Sequence, residues 1–229
     1  MRTIGILGGM GPQATIDFED RLHRVAQRLL PMHANQGYPP MVTVFVRHAP
    51  VLVDARGKPS SPLTLDPRFL ELVRRFGEWA DLLVCPANTP HFFVDEIIAA
   101  SGCEMISIID VTVAELRRRG AERVGLTGLG IPQVYSERLA AEGFEVATAS
   151  PDQVAALDEA ILCLMEGNTT EAHRASARAA VDAVRAQEVD ATILGCTEIP
   201  LILGDGADAE DFVNPGQLLA EAAVHRAVE

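Results

Sequence analysis

Two stretches of this chain read the same way. TIGILGGMGPQAT starts at Thr3 and RVGLTGLGIPQVY at Arg123, and the pairing aligns Gly5 with Gly125. Each is a short apolar run, a glycine-rich break, a proline and a helix-forming stretch. A strand running through glycines into a helix opens a βα unit. A chain assembled from such units needs a parallel sheet covered by helices. This recurrence constrains the fold more than any other feature.

The rest of the sequence keeps the alternation. MVTVFV, LLVC, EMISII and ATILGC read as strands, the first rich in β-branched residues. Helices are expected from Thr15 to Leu30, in RFLELVRRFGEWA, in VDEIIAA, and from Gln153 to Glu166 and Thr170 to Gln187. QLLAEAAVHRAVE closes the chain as another. In RFLELVRRFGEWA the apolar Phe69, Leu72, Val73, Phe76 and Trp79 recur near helical spacing. DVTVAELRRRG takes Asp110 as its N-cap and ends at Gly120. A second alignment, Ala87-Asn88-Thr89 on Cys196-Thr197-Glu198, strengthens the reading of an internal duplication. The expected architecture is α/β, with two similar parallel-sheet halves. The expected domains are 1–105, with the C-terminal helix as a candidate to complete it, and 106–229.

Composition excludes several functions. With 229 residues, 48% of them hydrophobic, the chain can build a substantial core. A net charge of -13 repels phosphate backbones, so no nucleic-acid partner is expected. No segment approaches the roughly 18 uninterrupted apolar residues of a membrane span. The N-terminal MRTIGILGG does not resemble a signal peptide, so a cytoplasmic protein with no membrane partner is expected. The four cysteines, Cys85, Cys103, Cys163 and Cys196, form no CxxC pair, and no metal site is expected. Free thiols are the expectation.

Active sites in parallel α/β sheets lie at the carboxyl ends of strands. Four loops fall there: GGMGPQAT, CPANTPH, TGLGIPQ and GCTEIP. In the first, Gly9, Met10, Gly11 and Thr15 could bring backbone and a helix N-terminus to an anion. Gly9, Gly11 and Ala14 fit the dinucleotide pattern GxGxxA, but the next strand ends in Arg47-His48 rather than the acidic residue a ribose needs. A carboxylate fits better, and a plain strand-to-helix turn would read alike. GCTEIP holds Cys196 at a strand end, where a thiolate can serve as base or nucleophile and Glu198 can accept or relay a proton. A small buried cysteine is the bland alternative.

CPANTPH offers Asn88 and Thr89 as carboxylate donors, or a turn before Pro90. His91 suits a surface or a helix start. Cys85 shares a strand face with Ala87 but lies ~6.6 Å deeper, at ~3.3 Å per residue, and reads as core, as do Cys103 and Cys163. Arg47, Arg56 and Lys58 are candidate carboxylate clamps on the loop after the second strand, or solvated residues.

These loops, in this order, resemble the aspartate/glutamate racemase superfamily, its aspartate racemase branch most closely. TIGILGGMGPQAT and ILGCTEIPLIL carry the likeness, and DFVNPGQLLAEAAV resembles the family's terminal segment with Asn214 where aspartate is common. Glu198 stands where glutamate racemases have histidine. The resemblance implies two α/β domains with a site in the cleft between them. It implies no cofactor, a small carboxylate or amino-acid substrate, and a homodimer. It also implies racemisation by two cysteines, one thiolate taking the α-proton and the other thiol returning one to the opposite face. Independence from pyridoxal phosphate suits a chain whose one lysine is Lys58. The family's first cysteine precedes Asn-Thr; here that position is Ala87. The second-half loop, with Ile131 and Gln133, lacks the family's Gly-Thr run and lysine, and its Asp-Arg-Thr is at best Asp54-Ala55-Arg56.

The residues expected at the site are therefore Cys196, Glu198 and the Ala87 position for chemistry. Gly9, Met10, Gly11, Thr15, Arg47, Arg56, Asn88, Thr89 and Thr197 are expected to bind substrate. A racemase-like enzyme acting through Cys196 is the leading expectation. Its rivals are a one-cysteine enzyme like the arylmalonate decarboxylases, a cysteine-to-alanine variant of an ordinary racemase, and a non-catalytic binding homologue.

Overall fold

The computed structural model describes residues 1–31, 33, 34, 36–55 and 59–229. The chain divides into two compact units, Met1–Ile108 with Gly216–Glu229, and Ile109–Pro215. The first contains β1 (Ile4–Gly8), α1 (Pro12–Leu29), β2 (Met41–Phe45), α2 (Pro67–Phe76), β3 (Leu82–Val84), α3 (Val94–Ser101) and β4 (Glu104–Ile106). Its sheet is wholly parallel, in the order β2-β1-β3-β4. After α4 (Ile108–Arg119), the second unit contains β5 (Arg123–Thr127), α5 (Gln133–Ala141), β6 (Glu145–Ala147), α6 (Pro151–Met165), α7 (Glu171–Arg185), β7 (Ala191–Leu194), α8 (Ile199–Leu203) and β8 (Phe212–Val213). Its order, β6-β5-β7-β8, repeats the first topology with all strands parallel. The two sheets flanked by helices are the α/β architecture the sequence led us to expect.

The last helix, α9 (Pro215–Val228), joins the first unit. The Arg2 N–H donates to the Ala227 carbonyl at 2.7 Å. Arg226 reaches both Glu104 oxygens, at 2.9 and 3.1 Å, and Arg2 donates to the same carboxylate at 3.0 Å.

Both units close their sheets with the same two devices. The first is a glycine inside the leading strand. A Cβ on Gly5 would lie 2.7 Å from the side chains of Ala80 and Leu83 and 2.9 Å from the Phe76 ring. A Cβ on Gly125 would lie 2.6 Å from Val184 and 3.0 Å from the Thr192 hydroxyl. Each glycine lets a helix, α2 or α7, seat an apolar side chain on its sheet. The second device is an aspartate one residue before the third strand of each sheet. Asp81 accepts from Thr3 N at 2.6 Å; Asp190 accepts from Glu122 N and Arg123 N at 2.8 and 2.9 Å. Each carboxylate ties together the entries of two neighbouring central strands.

The structure moves several boundaries. Helix α1 starts at Pro12 rather than Thr15, because proline needs no intrahelical N–H partner in the first turn. EMISII splits: Ile106 ends β4, and Ile108 already begins α4, so Asp110 is a first-turn residue and not the N-cap. There its charge still favours the helix N-terminus. Gly120 does end α4, at φ +68. Helix α2 stops at Phe76, leaving Trp79 beyond it and exposed. The short strands β6 and β8 carry too few residues for a periodic signal.

The glycine device predicts that Gly5→Ala costs about 1–3 kcal/mol of stability through overpacking. Urea unfolding checks it; a midpoint matching the parent protein would mean that the sheet–helix contact is looser than these distances.

Candidate active site

Each candidate loop is set by its own local constraints. In the first unit, β1 leads into residues 8–11 and then α1. Gly9 has φ +83, and a Cβ there would lie 2.6 Å from Val46 N. The adjacent backbone is paired with β2's end, Val46 N donating to Gly8 O at 2.8 Å. The Thr15 hydroxyl is buried. It accepts from Gly9 N and donates to Gly11 O, both at 2.9 Å. This threonine is spent on holding the loop. Met10 is half-buried against the unit's core. Gly11, at φ 142, precedes Pro12, and α1 has neither a side-chain cap nor an acidic residue in its first turn. Its N-terminal N–H groups therefore keep their affinity for an anion.

Strand β3 ends in a second loop, where burial relaxes step by step. Cys85 is fully buried, and desolvation pushes its thiol up to about 12. Pro86 is buried; Ala87, Asn88 and Thr89 are half-buried. The Ala87 methyl packs on the edge of the core that contains Cys85. Thr89 opens a 3-10 turn, Thr89–Phe93. His91 in that turn is buried, not on the surface, and its Nε2 lies 3.0 Å from the Cys85 carbonyl. A carbonyl only accepts, so Nε2 carries the proton and fastens the turn to the strand end. Arg47 is exposed and makes no ion pair with a described residue. Arg56 and Lys58 lie outside the described residues.

The second unit carries the group with acid–base potential. β7 runs into Gly195, Cys196, Thr197 and Glu198, and α8 follows. No side chain fits at Gly195, where a Cβ would meet Thr127 O at 2.4 Å. Gly195 N donates to that same carbonyl at 2.8 Å, which draws this loop onto the end of β5. The Cys196 thiol donates to Glu198 Oε2 at 3.0 Å, and the Thr197 hydroxyl donates to the same oxygen at 3.2 Å. Cys196 and Glu198 are only 7% and 2% exposed.

Burial raises the thiol well above its ordinary value, and the Glu198 charge and the thiol's hydrogen bond to it push the same way. Two backbone N–H groups, of Glu198 and Leu129, oppose this by stabilising negative sulfur. Burial also raises Glu198, against hydrogen bonds from Cys196 and Thr197. The second Glu198 oxygen, Oε1, is buried without a hydrogen-bond partner. The resulting pair is a thiol and a carboxyl that both resist ionisation and lie within proton-transfer distance.

Two participants were invisible in the sequence. The Leu129 backbone reaches Cys196 because the β5–α5 loop is folded tightly: a Cβ on Gly128 would lie 2.2 Å from Pro132. Asp158, on α6, accepts from Gly130 N at 2.6 Å and pins the same loop. The glycines of TGLGIPQ signalled a close approach, but not what was approached. The reading of Cys163 as core needs correction. It is half-buried, with the His173 Nε2 at 3.9 Å, because it sits near the end of α6 beside the start of α7. Cys103 is buried and donates to the Ala80 carbonyl at 3.1 Å. Among the described residues, no three His, Cys, Asp or Glu side chains gather as a metal site. No described helix is long and apolar enough to cross a membrane.

The chain thus repeats one parallel α/β unit and carries Cys196-Thr197-Glu198 at the end of a strand of the second copy. The chain belongs to the Asp/Glu/hydantoin racemase family, which residues 7–223 match. It is similar to the broad specificity amino-acid racemase RacX of Bacillus subtilis strain 168, at 24% identity over 224 residues and 96% of each chain. It also resembles an aspartate racemase homologue from Pyrococcus horikoshii OT3, at 21% identity and TM-score 0.75 over the whole of both chains. The aspartate racemase of Picrophilus torridus is similar at 20% identity and TM-score 0.72, over 100% of this chain and 95% of that one. At these identities the likeness to the solved structures is one of fold.

The Glu198 charge is one cause of the raised Cys196 thiol. Glu198→Gln removes that charge, so the thiol should ionise at lower pH. Alkylation of Cys196 by iodoacetamide at pH 8, followed by peptide mass spectrometry, is expected to be several-fold faster in the variant. An equal or slower rate, with the far-ultraviolet circular dichroism unchanged, would show that the carboxylate does not control the thiol.

Proposed function

We propose that this protein is a pyridoxal-phosphate-independent amino-acid isomerase whose one proton-transferring thiol is Cys196. The observation that carries the reading is the buried Cys196–Glu198 hydrogen bond of 3.0 Å in a chain of the racemase family. The Cys196 proton passes to Glu198 Oε2, leaving a thiolate. The thiolate takes the α-proton of the substrate, the C–H electron pair stays on carbon as a carbanion, and the carboxylate of the substrate delocalises it. Reversal returns a proton from Cys196 to carbon, and Glu198 gives its proton back to sulfur. Proton transfer by a positioned group contributes typically ~10²–10⁴-fold.

Asn88, Thr89 and Thr197 supply donors for the substrate carboxylate. Gly9, Met10 and Gly11 present the α1 N-terminus to it, and Thr15 acts as the positioning residue of that loop. Arg47, exposed and without an ion pair to a described residue, is a cation available to the substrate, and Arg56 stays a candidate from the sequence alone. Ala87 occupies the place of the first proton-transferring cysteine, and a methyl group transfers no proton. One face of the α-carbon is therefore served. Pyridoxal phosphate chemistry needs a lysine for its Schiff base, and the one lysine of the sequence, Lys58, is far in sequence from Cys196.

The decisive measurement is α-proton exchange in D2O, followed by NMR for each enantiomer of a panel of amino acids. Exchange of one enantiomer with retention of configuration is expected, reduced at least ~100-fold by Cys196→Ser. Ala87→Cys is expected to add racemisation. Fast racemisation by the unaltered chain would overturn one-sided chemistry. No exchange with any amino acid, but CO2 release from a substituted malonate, would reassign the chain as a decarboxylase.

A further inference from the structure

The β5–α5 loop, TGLGIPQ, carries no charged side chain, yet it forms part of the wall around the thiol. Gly195 N donates to Thr127 O at the start of this loop, at 2.8 Å. The missing side chains at Gly128 and Gly195 permit the approach, since a Cβ on either would collide with the loop or with Thr127. The Leu129 backbone N–H lowers the Cys196 thiol, as a donor close to the sulfur does. Its side chain is nevertheless 44% exposed, and that of Ile131, two residues on, is 52% exposed. Apolar side chains left in water beside a reactive sulfur gain free energy when an apolar group covers them.

The polar groups of this wall point the same way. Gly130 N between the two side chains is taken by Asp158 Oδ1 at 2.6 Å. Its carboxylate places negative charge at the loop, which repels a second carboxylate. The arginine packed on α8, Arg174, donates to the Leu201 and Ile202 carbonyls, both at 3.1 Å. The loop whose backbone meets Cys196 thus carries two exposed apolar side chains and is pinned by an acid.

We infer that Leu129 and Ile131 select the side chain of the substrate, and that this side chain is apolar rather than a second carboxylate. The inference deepens the proposed function and rests on Cys196 being the reacting thiol. It assigns the chain to amino acids of the leucine, methionine or valine class.

The test separates binding from turnover. Ligand-observed NMR titrations with both enantiomers of leucine, methionine, aspartate and glutamate measure affinity whether or not any proton exchanges, and D2O exchange is read on the same samples. The apolar amino acids are expected to bind more tightly than the acidic ones. Leu129→Ala and Ile131→Ala should each weaken leucine about tenfold, the scale of a hydrophobic pocket contact, with a smaller effect on alanine. Ile131→Lys should shift the preference toward aspartate. Binding of leucine that depends on Leu129, without exchange, keeps the apolar selectivity of this wall and overturns the thiol mechanism. Tighter binding of aspartate or glutamate, equal losses for every ligand in the two alanine variants, or no binding of any amino acid overturns the inference.

Discussion

The architecture depends on a steric absence. Each sheet has a central leading strand, and each of those strands has a glycine where a helix must come close. At Gly5 the neighbours are Ala80, Leu83 and Phe76; at Gly125 they are Val184 and Thr192. A single methyl at either position would collide with packed atoms rather than with the tip of a mobile chain. Interiors packed to crystal-like density have no slack for that. Once α2 and α7 are seated, the sheets are held, and Asp81 and Asp190 fix where the central strands begin. The carboxyl ends of β1, β3, β5 and β7 are then determined, and the functional loops hang from those ends.

Charge accounting gives the Cys196–Glu198 pair a direction. With one proton between them the pair carries one negative charge, held in a site that disfavours charge. Giving that proton away would leave two negative charges 3.0 Å apart, sulfur to oxygen. Taking up a second proton makes the pair neutral, which burial favours. Such a pair is a better base than its thiol alone, and it becomes an acid only after it has been loaded. The Leu129 and Glu198 N–H groups temper this by letting sulfur hold a charge transiently. The unpartnered Glu198 Oε1 fits the same picture, since an unbonded oxygen costs less on a neutral carboxyl than on a carboxylate.

What the sequence made legible follows from which interactions are local. The βα alternation, the four loops and the placing of Cys196 and Glu198 two residues apart were readable, because strand period, glycine breaks and strand ends are written in consecutive residues. Strands β6 and β8 were not: β8 has two residues, and β6, Glu145–Ala147, lacks the apolar run that marked the equally short β3 and β4. Thr15 read as a substrate-binding candidate at the start of a helix. Its hydroxyl, however, faces Gly9 and Gly11 rather than solvent, a fact fixed by the turn's geometry. His91 read as a surface or a helix-start residue; it sits in the 3-10 turn before α3, and nothing in CPANTPH reveals that this turn folds its ring back onto the Cys85 carbonyl. The Leu129 N–H and the Asp158 anchor are backbone contacts between distant segments, and backbone groups leave no mark in a residue pattern.

Ala87 acquires its meaning from this combination. Under the proposed function, a pair that can take and return a proton serves one face of the α-carbon without a second thiol, and inversion is the step that proposal leaves out. Cys85 cannot replace the missing group: it lies behind Ala87, fully buried, with its thiol raised to about 12, and no charged partner is available there to lower it. Burial by itself only makes a thiol a poorer source of thiolate. Cys196 is raised too, by burial and by the Glu198 charge, but it has in Glu198 a carboxyl 3.0 Å away that Cys85 lacks. In the alignment of the two halves, Ala87 matches Cys196 but carries only a methyl, and Thr89, which matches Glu198, carries no acid.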